Sequence, residues 1–174
     1  MNRLPLLLSA LAISSVAFAQ QPNVGVRVGV YFPTSEAVRN GLGDTWLSYG
    51  FNFGSVQTRD GQMMGGDTFF VSREARGNRL FMGTLSYGVT VPLGEYNRFS
   101  SFRPYVAVRG GITYADFRIG TTNGSNFTFN ANAEVGVTLS DNFQIALRYD
   151  MNSRTRGFDL SGASITARYN LLSF

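Results

Sequence analysis

Apolar and polar residues alternate along most of the chain from Val24 onward, and the alternating runs are bounded by Gly, Pro, Asn, Asp and Ser. A period of two belongs to a strand with one apolar face; an amphipathic helix would show 3.6. Eight such runs follow one another. In Val24–Phe32 the valines and Phe32 oppose Gly25, Arg27, Gly29 and Tyr31. Thr45–Gln57 sets Leu47, Tyr49, Phe51 and Phe53 against Ser48, Gly50, Asn52 and Gly54. Thr68–Ala75 is a weaker run, and its adjacent Phe69 and Phe70 leave its facing open. Arg79–Leu93, Phe102–Phe117, Phe127–Leu139, Phe143–Asn152 and Leu160–Leu171 complete the set, with Pro104 expected at a strand end because it lacks a ladder donor.

Alternation alone fits a soluble barrel with an apolar inside and a membrane barrel with an apolar outside. Side-chain size separates them. The polar faces carry Gly25, Gly29, Gly50, Gly54, Ala107, Gly136, Ala146 and Ser164, whereas the apolar faces carry Phe, Tyr, Leu and Ile. Eight strands enclose a lumen only just wide enough for side chains, so the small-residue face belongs inside. Large apolar residues then face outward, as in a transmembrane barrel. Tyr31, Phe32, Trp46, Tyr49, Tyr149 and Tyr169 gather toward strand ends, where interfacial girdles sit.

The connections give an orientation. With both termini periplasmic, 33–44, 118–126 and 153–158 become extracellular loops, and Ser140-Asp141-Asn142 a short periplasmic turn. Thr58–Asp67 is then a longish periplasmic link and Arg76-Gly77-Asn78 a tight extracellular one. Pro33–Gly41 reads as a short helix, with Thr34 or Ser35 to cap it, Glu36 in its first turn and Gly41 to end it. An ordinary ordered loop is the expectation for it, a lid on the barrel mouth the alternative.

Composition agrees with a membrane. Charged residues are 15% of the chain, well below the roughly 25% of soluble domains. The first residues differ from the rest: Met1-Asn2-Arg3 is basic, Leu4–Val16 is mostly apolar, and Ala17-Phe18-Ala19 is a small-x-small site. These are the parts of a cleavable signal peptide over 1–19, leaving a barrel over 20–174. The apolar run is too short and too interrupted for a spanning helix, which needs about 20 residues. There is no Cys, hence no disulfide framework and no lipoprotein cysteine. All basic residues are Arg. An arginine fork suits carboxylates and phosphates, but the enrichment alone does not single out a phosphate site.

The expected fold is therefore all-β: an eight-stranded antiparallel up-and-down transmembrane β-barrel behind a cleavable signal peptide, in a bacterial outer membrane. The signal peptide, the eight amphipathic strands and the terminal Phe174 resemble the broad family of OmpA- and OmpW-like outer-membrane barrels. That family ends in a strand with alternate apolar residues and a final Phe. Here Gly162–Leu171 supplies the strand, while Phe174 is out of step with Ile165, Tyr169 and Leu171. The resemblance carries no subfamily motif and brings no ligand with it. Its implied partners are outer-membrane lipids and lipopolysaccharide, with the barrel assembly machinery during insertion, for a monomer that binds no nucleic acid.

Catalytic chemistry finds little footing. The chain has no His, which removes a Ser-His-Asp triad, His metal ligation and His general-base catalysis together. Lipid hydrolases and acyltransferases of similar architecture rely on a His. Asp141, Asn142 and Asp150 do not match a calcium loop, and no glycine-rich phosphate loop leads a strand into a helix. Arg109-Gly110-Gly111 lies mid-strand and reads as a barrel kink rather than a nucleic-acid motif. The expectation is a non-enzymatic protein without cofactor or metal.

Charged residues on the inward faces are the sharpest feature: Arg27, Arg109, Glu134, Arg148, Asp150 and Arg168. They fit either a charged constriction in a pore or paired charges plugging a closed lumen. Eight strands favour the plug. Leu139 and Phe143 share a face, so a three-residue turn must join their strands, which sets Glu134 opposite Arg148 and Asn132 opposite Asp150. A Glu134–Arg148 ion pair is the expected contact. A surface or structural role leads; a narrow OmpW-like channel for small apolar molecules and a soluble secreted binding barrel are the alternatives.

Overall fold

A computed structural model describes residues 24–57, 62–94, 102–140 and 142–172. The segment expected to be a signal peptide, its expected cleavage site and Phe174 lie outside those residues. The eight strands are β1 (Val24–Pro33), β2 (Trp46–Gln57), β3 (Met63–Ala75), β4 (Asn78–Pro92), β5 (Arg103–Ile119), β6 (Thr122–Thr138), β7 (Phe143–Asn152) and β8 (Gly162–Leu172). Each pairs antiparallel with the next, and β8 returns to β1, closing the barrel. Closure leaves no open sheet edge around the ring. Prolines mark strand ends, with Pro33 last in β1, Pro92 last in β4 and Pro104 second in β5.

The large apolar residues point outward. Leu47 is 67% exposed, Val108 63%, Val135 51% and Leu147 53%, far too open for a core in water. Phe51 is likewise exposed, and Val89 is half-buried. Inside, glycines let neighbouring backbone and side chains close in. A Cβ on Gly50 would collide with the Thr68 carbonyl, and one on Gly162 would enter the Tyr31 ring.

The structure departs from expectation in several places. β3 begins at Met63 rather than Thr68, so Asp67 belongs to a strand and the link shortens. Gly65 and Gly66 had hidden the alternation, and Gly66 is where the Phe53 ring passes over the backbone. Phe69 faces inward and Phe70 outward, where it stacks on Tyr49 and Phe81. Residues 118–126 are not a loop: β5 and β6 run on to a tip at Gly120-Thr121. Their polar residues lie beyond the apolar belt, where both faces of a strand can be polar. At 17 residues each, β5 and β6 exceed the roughly 9–11 that cross a bilayer. The β3–β4 tip is a two-residue turn as well, with Arg76 and Gly77 both in the left-handed region that a type I′ hairpin turn requires.

A further change concerns the barrel mouth. Helix α1 (Glu36–Leu42) is no ordinary loop; it lies in the mouth with Val38 and Leu42 fully buried. Ser35 stands at its N-cap without a side-chain cap bond, and Gly43 rather than Gly41 ends it, with φ 91°. Three consecutive C-terminal carbonyls are held by side chains at or beside the β3–β4 hairpin tip: Arg76 donates to Asn40 (2.7 Å), Asn78 to Gly41 (2.9 Å) and Arg73 to Leu42 (3.0 Å). These satisfy groups a helix end otherwise leaves open, and the two guanidiniums face the negative end of its dipole. Under the helix, Tyr31, Trp46, Phe69, Leu80 and Phe117 form an apolar core inside the barrel. Tyr31 and Trp46 are therefore interior residues, not girdle residues; Phe32, Tyr49, Tyr149 and Tyr169 do face outward.

Candidate functional site

Inward-facing residues change character along the barrel. Below the apolar core that α1 covers comes a layer of hydroxyls and amides. Thr84 and Thr113 share a hydrogen bond (2.7 Å), Thr113 donates to Asn152 (2.8 Å), and Asn130 donates to Asn152 (3.1 Å) and Asp150 (3.3 Å). Below that lies a belt of buried charge.

The belt is built from six strands: Arg27 on β1, Asp67 on β3, Arg109 on β5, Glu134 on β6, Arg148 and Asp150 on β7, and Arg168 on β8. Each lies on the inward face of its strand, and on β3 the same parity turns Phe69 inward beside Asp67. Asp67 sits among three guanidiniums, with Arg148 Nη1 at 2.7 Å, Arg27 Nη1 at 3.0 Å and Arg109 Nη1 at 3.9 Å. Ser86 also donates to it. Glu134 is the second centre: Arg27 Nη2 lies at 3.0 Å, Arg168 Nη2 at 3.2 Å and Arg109 Nη1 at 3.4 Å, and the Tyr105 hydroxyl donates at 3.0 Å. Asp150 receives both Nε (2.8 Å) and Nη2 (2.6 Å) of Arg148 in a two-pronged bond. Outer contacts come from Gln144, which accepts from Arg168, and Thr90, which accepts from Arg109. The Arg148 guanidinium also covers the Phe69 ring at 4.9 Å, joining the belt to the apolar core above.

The inward residues read from the sequence thus meet in one network, but one pairing differs from expectation. Glu134 and Arg148 are cross-strand partners in the register that the turn parity requires, as are Asn132 and Asp150. They nevertheless form no ion pair. Arg148 reaches along its own strand to Asp150 and across the lumen to Asp67, while Glu134 is taken by Arg27, Arg109 and Arg168. In so narrow a barrel a guanidinium spans the lumen, and the acid on the facing wall competes with the one beside it.

Asp67 is the residue that sequence reasoning missed, because Gly65-Gly66 put it in a connection. A signal for it existed. Four inward arginines against two acids leave two buried cations uncompensated, a costly arrangement that calls for a further inward carboxylate. Among the described residues no group of three His, Cys, Asp or Glu side chains is placed to hold a metal ion.

Fold and interior together define a small eight-stranded barrel of the transmembrane kind, apolar outside and polar at mid-lumen. No protein-family profile matches the chain, and no curated protein matches it in sequence. Solved structures do share the fold. Neisserial surface protein A superposes with a TM-score of 0.63 at 11% identity, covering 86% of this chain and 96% of that one. The outer membrane enzyme PagL gives 0.57 at 13% identity, over 84% and 99%. Ail, the attachment invasion locus protein of Yersinia pestis, gives 0.53 at 11% identity, over 86% and 97%.

Proposed function

We propose that the chain is a bacterial outer-membrane barrel with a closed lumen, serving a structural or surface-interaction role rather than catalysis or transport. The charge belt carries this reading. Seven side chains from six strands meet across the lumen in ion pairs of 2.6–3.9 Å, and solvated ions would have to break them to pass. The helix-covered apolar core adds a second obstruction above it. A membrane location rests on the exposed apolar belt and on the fold shared with proteins named for the outer membrane. The absence of His from the chain supports a non-enzymatic role. Lipopolysaccharide and neighbouring lipids are the proposed surroundings of a monomer inserted by the barrel assembly machinery.

Conductance tests the reading. The protein reconstituted into planar bilayers is expected to show no stepwise current above the lipid background. Steady ohmic steps from the wild type would instead favour an OmpW-like channel.

A further inference from the structure

On the outer wall, at the end that carries α1, two arginines stand face to face. Arg79 of β4 and Arg118 of β5 are direct cross-strand partners, both exposed. Like charges directly opposed destabilise a sheet. One carboxylate of β5, Asp116, on the same face two residues before Arg118, lies 3.6 Å from Arg79. Glu74 of β3 is the cross-strand neighbour of Arg79 on the other side.

The height of the pair decides its partner. Two residues nearer the middle of β4 stands Phe81; four residues nearer the middle of β5 and β6 stand Tyr114 and Phe127, their rings 5.1 Å apart. Outward aromatics mark where the apolar band of a membrane barrel ends. The guanidiniums sit one or two pleats beyond them, level with lipid headgroups, and on the side wall rather than the top of the barrel. Guanidinium forks suit phosphate oxygens, and opposed arginines become favourable when an anion lies between them.

We propose that Arg79 and Arg118 form a binding site for the phosphate-bearing headgroup of an anionic outer-leaflet lipid. The proposal rests on the membrane reading above and adds a place and a chemistry to it.

The test uses the full chain exported by its host, extracted from membranes and reconstituted into phosphatidylcholine vesicles with bisphosphorylated lipid A or its dephosphorylated form. Lipid retained after detergent extraction is counted by native mass spectrometry, and insertion is read separately by flotation. The wild type is expected to retain bisphosphorylated lipid A about thirtyfold better than R79Q/R118Q, at roughly tenfold per 1.4 kcal/mol and about 1 kcal/mol per arginine near a surface. R79K/R118K should fall between them, keeping the charge but losing the fork. R154Q, altered at another exposed arginine, should behave as wild type. Equal retention by wild type and R79Q/R118Q overturns the site, as does indifference to the lipid's phosphates. Full displacement by inorganic phosphate would make it a free-anion site, and displacement by soluble polyglutamate an acidic-protein site; either overturns the lipid assignment. Wild type that fails to float contradicts the membrane reading itself, whereas floating protein with unselective retention contradicts only the site.

Discussion

Asp67→Asn is expected to destabilise the barrel by about 3–5 kcal/mol, the usual cost of stranding one side of a buried ion pair. The substitution keeps shape and removes charge. Asp67 is 1% exposed and lies within 3.9 Å of three guanidinium groups, so nothing outside the protein can take over its role. Arg148 would keep Asp150, and Arg27 would keep Glu134, but the lumen would hold four guanidiniums against two carboxylates. Equilibrium unfolding in urea, with the protein in lipid vesicles, measures the loss. Adding Arg27→Met should recover part of it, because the second change removes one of the cations left unpaired, and the two effects should be clearly non-additive. A loss below about 1 kcal/mol would mean that the belt is solvated and weakly coupled, as surface ion pairs are.

Val135→Arg is expected to cost about 2–4 kcal/mol in a bilayer, the penalty for Arg near the midplane on the lipid face of such a barrel. Val135 is half exposed, and its cross-strand neighbours Val106 and Leu147 also face outward. Were that face in water, the same change would fall within about 0.5 kcal/mol of neutral. Arginine at Asn132, inward on the same strand and 2% exposed, should act differently. There it meets polar groups but crowds a filled lumen beside Asp150, so its effect depends on packing and not on lipid.

Period-two alternation carried most of the fold because closure turns one face of every strand toward a narrow lumen, and residue size then tells inside from outside. The β6–β7 register was legible for a related reason: Leu139 and Phe143 share a face, which fixes the length of the turn between them. The errors fall where alternation stops reporting burial. Gly65 and Gly66 have no side chains to alternate, so the start of β3 was lost. Thr122 to Asn126 are polar on both faces because that part of β6 stands beyond the apolar belt, so a strand read as a loop. Helix α1 was visible in its residues, but its placement depends on carbonyls captured by Arg73, Arg76 and Asn78, contacts between segments far apart in the chain.

The site was legible as a set of residues and not as a set of pairs. Parity alone turns Arg27, Arg109, Glu134, Arg148, Asp150 and Arg168 inward. Parity does not say which wall a long guanidinium reaches, and the long reach of Arg148 to β3 decided that. Tyr105 and Ser86 joined as donors without a sequence signal, since hydroxyls are common on any inward face.

A membrane barrel requires that the exposed apolar face meet acyl chains. Trp46 is the protein's single tryptophan, 2% exposed inside the mouth, while Leu147 lies 53% exposed on the outer wall. Fluorescence in vesicles of lipids brominated along the acyl chain compares the two positions: native Trp46, and Leu147→Trp in a Trp46→Phe background. The expected result is strong quenching of tryptophan at 147 and little at 46. Tryptophan at 147 that is unquenched by brominated chains, yet readily quenched by aqueous iodide, would contradict a membrane barrel.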